Sequence, residues 1–211
     1  TVRILGAMKL SGKTTSGWSG GVLHAITSKE VARIFDPAGP VRAQSVEPLT
    51  NYSAARVVRD FRDGRSGLGA IGTATFRDGG DPAFDRLHSS AFTGGINGWH
   101  RFNESRYQLR GWLLGSQVSG SEEAIARTQR SFVHLYQREG ADHLTYDPTR
   151  TSLSGIAGEF FFEKIGGGHW TGALGGGGRG SGVDTNDTGF ITYTDVVYGE
   201  VRARYREFTP G

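Results

Sequence analysis

Through most of its length the chain alternates small or apolar residues with polar or charged ones at every second position, and this period of two constrains the fold more than any other feature. In the first stretch Val2, Ile4, Gly6, Met8 and Leu10 fall on one face of an extended strand, with Arg3, Ala7 and Lys9 on the other. The pattern predicts about ten strands. They are expected near residues 1–10, 18–26, 51–61, 66–76, 90–102, 107–118, 151–165, 169–177, 189–194 and 198–208.

Short connections alternate with long ones between these stretches. Asp63-Gly64 tolerates the positive φ of a hairpin turn, and Gly166-Gly167-Gly168 closes another. Residues 28–50 contain Pro37, Gly39, Pro40 and Pro48, and proline cannot donate to a strand ladder, so an exposed loop is expected there. Residues 77–87 and 119–150 are also long and polar. Ser119 with Glu122 resembles a capping box ahead of a short helix at 124–129, and 132–137 is expected as a hairpin within that same loop.

Alternating strands with one lipid-compatible face, joined by short turns on one side and long loops on the other, are the pattern of an antiparallel transmembrane β-barrel. The expected fold is therefore all-β, one barrel domain or barrel segment over residues 1–211. In bacterial outer membranes the short turns face the periplasm, so the first strand runs from outside inward. A soluble β-sandwich or up-and-down barrel alternates in the same way and is the competing architecture.

Composition narrows the classes. The 34 glycines, one methionine and no cysteine suit close-packed strands better than an α/β enzyme, and the missing cysteines remove disulfide frameworks and thiolate metal sites. No run of 18 or more apolar residues is present, which excludes a transmembrane helix but not membrane strands. The net charge of +3 comes from scattered basic residues, so no nucleic-acid partner is expected. No signal peptide is visible and Thr1 already lies in a strand pattern, so residues upstream are expected. Thr209-Pro210-Gly211 closes no terminal strand.

Several motifs imitate chemistry. Residues 7–14 resemble a phosphate-binding loop with Ala7 in place of its first glycine, but Thr15-Ser16-Gly17-Trp18 is a poor helix start, and a polar turn is expected. Gly67, Gly69 and Gly72 match a dinucleotide fingerprint, which 34 glycines produce by chance; Thr73-Ala74-Thr75-Phe76 favours a strand where a Rossmann unit needs a helix. His24, His88, His100, His134, His143 and His169 show no metal-pair spacing. Asp78 and Asp81, or Asp184 and Asp187, could offer oxygens to calcium but read more simply as loop tips. No serine sits in a nucleophile elbow. No metal and no cofactor is expected.

The constellation that does suggest function is a water-facing stripe of mixed charge with cations ahead: Arg3, Lys9, Arg56, Asp60, Arg110, Glu159, Glu163, Glu200, Arg202, Arg204 and Arg206. Lining a lumen, it would favour polar and anionic solutes, although any barrel interior requires polar residues. The candidate binding residues are Glu47, Asn51, Arg56, Arg110, Arg202 and Arg204.

Gly6-Ala7-Met8-Lys9-Leu10-Ser11-Gly12-Lys13, Gly21-Val22-Leu23-His24-Ala25-Ile26-Thr27, Val46-Glu47-Pro48-Leu49-Thr50-Asn51-Tyr52, Gln129-Arg130-Ser131 and Asp147-Pro148-Thr149-Arg150-Thr151-Ser152-Leu153-Ser154-Gly155 occur in this order, and Asn186-Asp187-Thr188-Gly189-Phe190 adds to them. Together these segments resemble a bacterial outer-membrane β-barrel family of unknown function that commonly follows a carbohydrate-binding-module family-nine-like domain. The resemblance implies a surface-exposed barrel larger than this chain, in a diderm bacterium, with a periplasmic sugar-binding-like domain upstream. It attaches no activity.

The leading expectation is an outer-membrane barrel that passes or handles polar solutes or polymers. Its expected partners are outer-membrane lipid, a polar solute or carbohydrate, and the further strands or chains that complete the barrel. Two alternatives stand beside it. One is a barrel-embedded hydrolase or surface receptor working through outer-loop groups near Glu47, Asn51 and Asp147. The other is a soluble carbohydrate-binding β-sandwich using Trp18, Trp99, Trp112 and Trp170; the membrane reading places those four rings at the headgroup level instead.

Overall fold

The structure, a computed structural model, describes residues 2–35 and 39–207. Thr1, Pro37, Phe208 at the end of the last expected strand, and Thr209-Pro210-Gly211 lie outside the described residues. Nine strands form a single antiparallel sheet: β1 (Ile4–Lys13), β2 (Trp18–Thr27), β5 (Thr50–Phe61), β6 (Ser66–Arg77), β7 (His88–Phe102), β8 (Tyr107–Gly120), β9 (Ser152–Lys164), β10 (Trp170–Arg179) and β11 (Val196–Tyr205). Sequence neighbours in this set are spatial neighbours, as short hairpins dictate. The sheet is open: β1 and β11 form its two edges and are not paired with one another.

The hairpin turns follow local chemistry. Arg62, Asp63 and Gly64 all take positive φ (52°, 58° and 79°), and so do Asn103, Glu104 and Ser105 (50°, 56° and 62°). Asn, Asp and Gly visit this left-handed region at least cost, which places the bends. The four short turns lie at one end of the sheet and the long connections at the other, with the expected parity.

Four expectations are corrected. The sheet has nine strands, because 189–194 is irregular: Ile191 is buried against Val133 and Val183, the Ile191 amide donates to Asn186 Oδ1 at 2.9 Å, and Thr194 donates to the Val133 carbonyl. Tertiary packing and side-chain acceptors satisfy this segment without a ladder. Residues 28–50 are not a plain loop but hold a separate hairpin, β3 (Glu30–Ile34) with β4 (Arg42–Glu47); Pro40 and Pro48 fall outside its strands. Residues 132–137 form turns, not a hairpin. The short helix is present as α1 (Glu122–Arg130), but its cap is Ser121, whose Oγ accepts from the Ala124 amide at 3.1 Å.

Register divides the sheet into two faces. On the bare face Leu10, Val22, Ala55, Gly72, Gly94, Gly115 and Ile156 lie in one continuous row, and Val57, Ala70, Ile96, Leu113, Gly158, Gly178 and Val197 in the next. No second layer of described residues backs them: Leu10 is 72% exposed, Ile96 63% and Val197 90%. Rings gather on this face toward the short turns, where Phe102 stacks on Tyr107, Tyr107 on Phe162, and Trp170 meets Tyr205 edge-on. Arg59 lies over both Trp18 and Phe61 there, at 5.0 and 4.8 Å.

The opposite, covered face carries the folded core at its long-loop end. Helix α1 and the segments at 131–150 and 180–195 pack onto it, burying Ile125 and Tyr136 against Ala91, Val118 and Leu153, and Val183 against Ala157. Gly155 permits the closest approach, since a Cβ there would run into the Val183 backbone. The layer order is thus inverted relative to a soluble sandwich: the mixed polar face is covered and the apolar face is not.

Candidate functional site

Toward the short turns the covered face is open, and there the register assembles one charged lattice. Asp60, Gly67, Trp99, Arg110, Phe161, Gly175 and Glu200 form a row across seven strands. Arg110 donates to Glu159 and to Glu163, each at 3.2 Å, while its guanidinium lies 4.4 Å from the centre of the Phe161 ring. Glu163 also accepts from Gln108 at 2.9 Å and pairs with Arg202 at 3.9 Å. Tyr198 donates to Glu159 at 2.8 Å, and Arg202 pairs with Glu200. Two carboxylates on the same face of β9, one on each side of Phe161, therefore tie β8, β9 and β11 through charge-assisted hydrogen bonds.

Two glycines of the supposed dinucleotide fingerprint lie in β6 as seats for covered-face side chains. Trp99 lies over Gly67, where a Cβ would collide with its six-membered ring, and its Nε1–H donates to the Gly64 carbonyl at 3.1 Å. Asn97 lies over Gly69 in the same way. The strand at 67–72 and the turn at 14–17 leave no helix N-terminus for a phosphate at either motif.

At the long-loop end a cavity of about 610 Å³ opens between β6, α1 and the 180–195 segment, lined by Arg77, Arg86, His88, Arg127, Thr128 and Asp187 among others. His88 Nδ1 donates to Asp187 at 2.8 Å and its Nε2 meets Thr128 Oγ1 at 2.7 Å, while Arg77 holds the other Asp187 oxygen at 2.5 Å. Burial alone would raise the Asp187 pKa, but the His88 hydrogen bond and the Arg77 and His88 charges outweigh it and hold the carboxyl below its ordinary value. Asp184 is likewise bound to His134 and Asp195 to His143 and Arg138. Three carboxylates of one segment thus each take a histidine. Asp81 caps a 3-10 turn at 82–84 and pairs with Lys29. Of the calcium alternatives, Asp81 and Asp187 pair with Lys29 and Arg77, Asp184 meets His134 and accepts from the Asn186 amide, and Asp78 accepts from the Gly80 amide; Thr128 also donates to the Ala124 carbonyl inside its own helix, as a structural threonine does.

The family description "Domain of unknown function (DUF5916)" matches residues 1–211. The chain belongs to this family. No curated protein and no solved structure matches it.

The six candidate residues of this DUF5916 chain divide into two groups. Arg56, Arg110, Arg202 and Arg204 share the covered face, and Glu163 bridges Arg110 and Arg202. Arg202 and Arg204 also line a smaller cleft of about 300 Å³ with Arg206. Arg56 stands apart, donating weakly to Asn97 at 3.4 Å. Glu47 and Asn51 do not join them: Glu47 is the exposed end of β4, and Asn51 is on the bare face in register with Ile26 and Phe76. The four tryptophans also separate, Trp18 and Trp170 on the bare face, Trp99 and Trp112 on the covered one. The His88 cluster escaped the sequence because its members are scattered from Arg77 to Asp187 and no spacing marks them.

Proposed function

We propose that this DUF5916 domain is a sector of a bacterial outer-membrane β-barrel whose covered face lines a lumen and handles polar solutes or polymers. The observation that supports it is the inverted layering. A water-soluble sheet does not leave two adjacent rows of aliphatic and small residues bare while folding its helix and loops onto the charged face, because exposed contiguous apolar area of this kind is costly in water. In a bilayer the same face is satisfied. The strands, 10 to 15 residues long, suffice to cross the hydrocarbon when tilted. The ring cluster at the short-turn margin, with Arg59 over Trp18 and Phe61, suits the headgroup level.

Strand direction adds a condition. β1 and β11 both run from the long-loop end toward the short-turn end, because all neighbours among the nine are antiparallel. They cannot pair with each other in antiparallel fashion, so an odd number of further strands must lie between them to close an all-antiparallel barrel and satisfy both edges in lipid. Those strands belong to the same polypeptide or to a partner chain.

Liposome flotation tests the reading. The protein is expected to float with the vesicles and to resist carbonate extraction; a monomer that stays in the aqueous fraction without detergent contradicts it. The soluble-sandwich alternative predicts that second outcome.

A further inference from the structure

The covered face presents one aromatic surface in a setting unlike the rest of the lattice. Along β7 the successive covered-face positions are Asn97, Trp99 and Arg101, spanning roughly 13 Å at the strand rise. The indole is fixed on both counts that matter for recognition. Its six-membered ring fills the space over Gly67, and the Gly64 carbonyl takes its only hydrogen-bond donor, so what the half-buried indole still exposes is ring carbon. No ring or guanidinium is stacked on it among the described residues.

Along the strand the flanking groups are amides and guanidiniums, and the carboxylate of Asp60, across Gly67 in the same row, is paired with Lys13 at 3.9 Å. Arg101 donates to Gln108 at 2.7 Å and Arg56 to Asn97, and among the described residues neither guanidinium has a carboxylate partner. Both are exposed, unlike Arg110, which is bound by two glutamates. An aromatic plate matches the slightly positive C–H face of a pyranose ring, planar amides and guanidiniums match pairs of neighbouring hydroxyls, and an arginine lacking a carboxylate favours one from the ligand.

We infer that Trp99, with Arg56 and Arg101 on either side, forms a subsite for an acidic saccharide, a short oligosaccharide whose sugar rings carry carboxylates. This names a ligand class for the lumen wall and rests on the barrel reading for its location. Binding here is noncovalent and requires no cofactor.

Calorimetric titration of the intact polypeptide in nanodiscs, with trigalacturonate, maltotriose and benzoate as probes, tests the inference. Trigalacturonate should bind, maltotriose at least tenfold more weakly, and benzoate should not compete. Trp99→Ala should weaken trigalacturonate at least tenfold, Trp99→Phe should retain most of the affinity and so control for folding, and Trp170→Ala, on the bare face, should change nothing. The Arg56→Gln/Arg101→Gln pair should bring trigalacturonate down to the maltotriose level. No heat with the wild type, Trp99→Ala titrating like the wild type, or benzoate competing equally would overturn the subsite. Flotation of the same samples separates the two ideas: protein that floats but ignores the sugar loses the subsite alone, whereas protein that does not float loses the barrel whatever it binds.

Discussion

His134 Nε2 stands 3.0 Å from Asp184 Oδ2 with the imidazole wholly buried, and its Nδ1–H donates to the Ser181 carbonyl at 2.7 Å. Since that carbonyl can only accept, a single shared proton lies between the second nitrogen and the carboxylate, and the pair fastens the 180–195 segment to the 131–136 turns. Removing one partner leaves the other buried without compensation. His134→Ala or Asp184→Ala is expected to cost about 3 kcal/mol or more. Hydrogen exchange should show the loss as deprotection of 181–195 ahead of the sheet.

The pH dependence of that segment follows from Asp187 and Asp195. Burial opposes ionisation of both, but His88 and Arg77 for the first, and His143 and Arg138 for the second, hold the carboxyls below their ordinary value of 3.8. A depressed folded-state pKa gives stability that is complete above the unfolded value and is lost as pH falls through the folded one. Exchange protection of 181–195 is therefore expected to hold at pH 5 and above and to fall below about pH 4. Asp187→Asn should flatten the part of that acid transition due to His88 and Arg77.

Gly67→Ala isolates the seat of Trp99. The added methyl would meet the ring, so the indole must lift and leave the Gly64 carbonyl. A loss of about 1–3 kcal/mol is expected from overpacking. Trp99 emission should shift, measured in a background with the other tryptophans replaced by phenylalanine. Gly94→Ala, with no atom within 4 Å of its new methyl, should leave stability within about 0.5 kcal/mol.

Charge on the bare face distinguishes hydrocarbon from water. Ile96→Arg and Leu113→Arg should each destabilise the protein in lipid by about 2–4 kcal/mol. On a water-facing surface the same changes would fall within about 0.5 kcal/mol. Reversible denaturant unfolding from liposomes measures the difference.

Much of this architecture was legible because the period of two is local. The alternation at Val57, Ala70 and Ile96 is visible along each strand, and Asp63-Gly64 marks its own turn. Ser121 rather than Ser119 caps α1 because Gly120 still belongs to β8, a boundary decided by the ladder. The β3–β4 hairpin is hidden in the sequence because the prolines of 28–50 suggest a loop throughout, whereas they interrupt only the residues they occupy. The segment at 189–194 has strand-like composition, yet its contacts with Val133 and Val183 come from distant chain.

The site was less legible for the same reason. That Arg56, Arg110, Arg202 and Arg204 share a face follows from parity within their strands. That Asn51 falls on the other face depends on the phase of β5, in which Arg56 and Asn51 differ by an odd number of residues. The Gly67–Trp99 contact and the three His–Asp pairs depend on register and folding of the long loops, which no local pattern encodes.

The sidedness of β7 tests the central claim most directly. The chain has no cysteine, so single cysteines at 96, 97, 98 and 99 can carry nitroxide labels in reconstituted protein. Positions 96 and 98 should be accessible to oxygen in the bilayer and shielded from a water-soluble nickel chelate, with 97 and 99 showing the reverse. Equal nickel accessibility at all four, or chelate access greatest at 96 and 98, would contradict a lipid-facing bare surface.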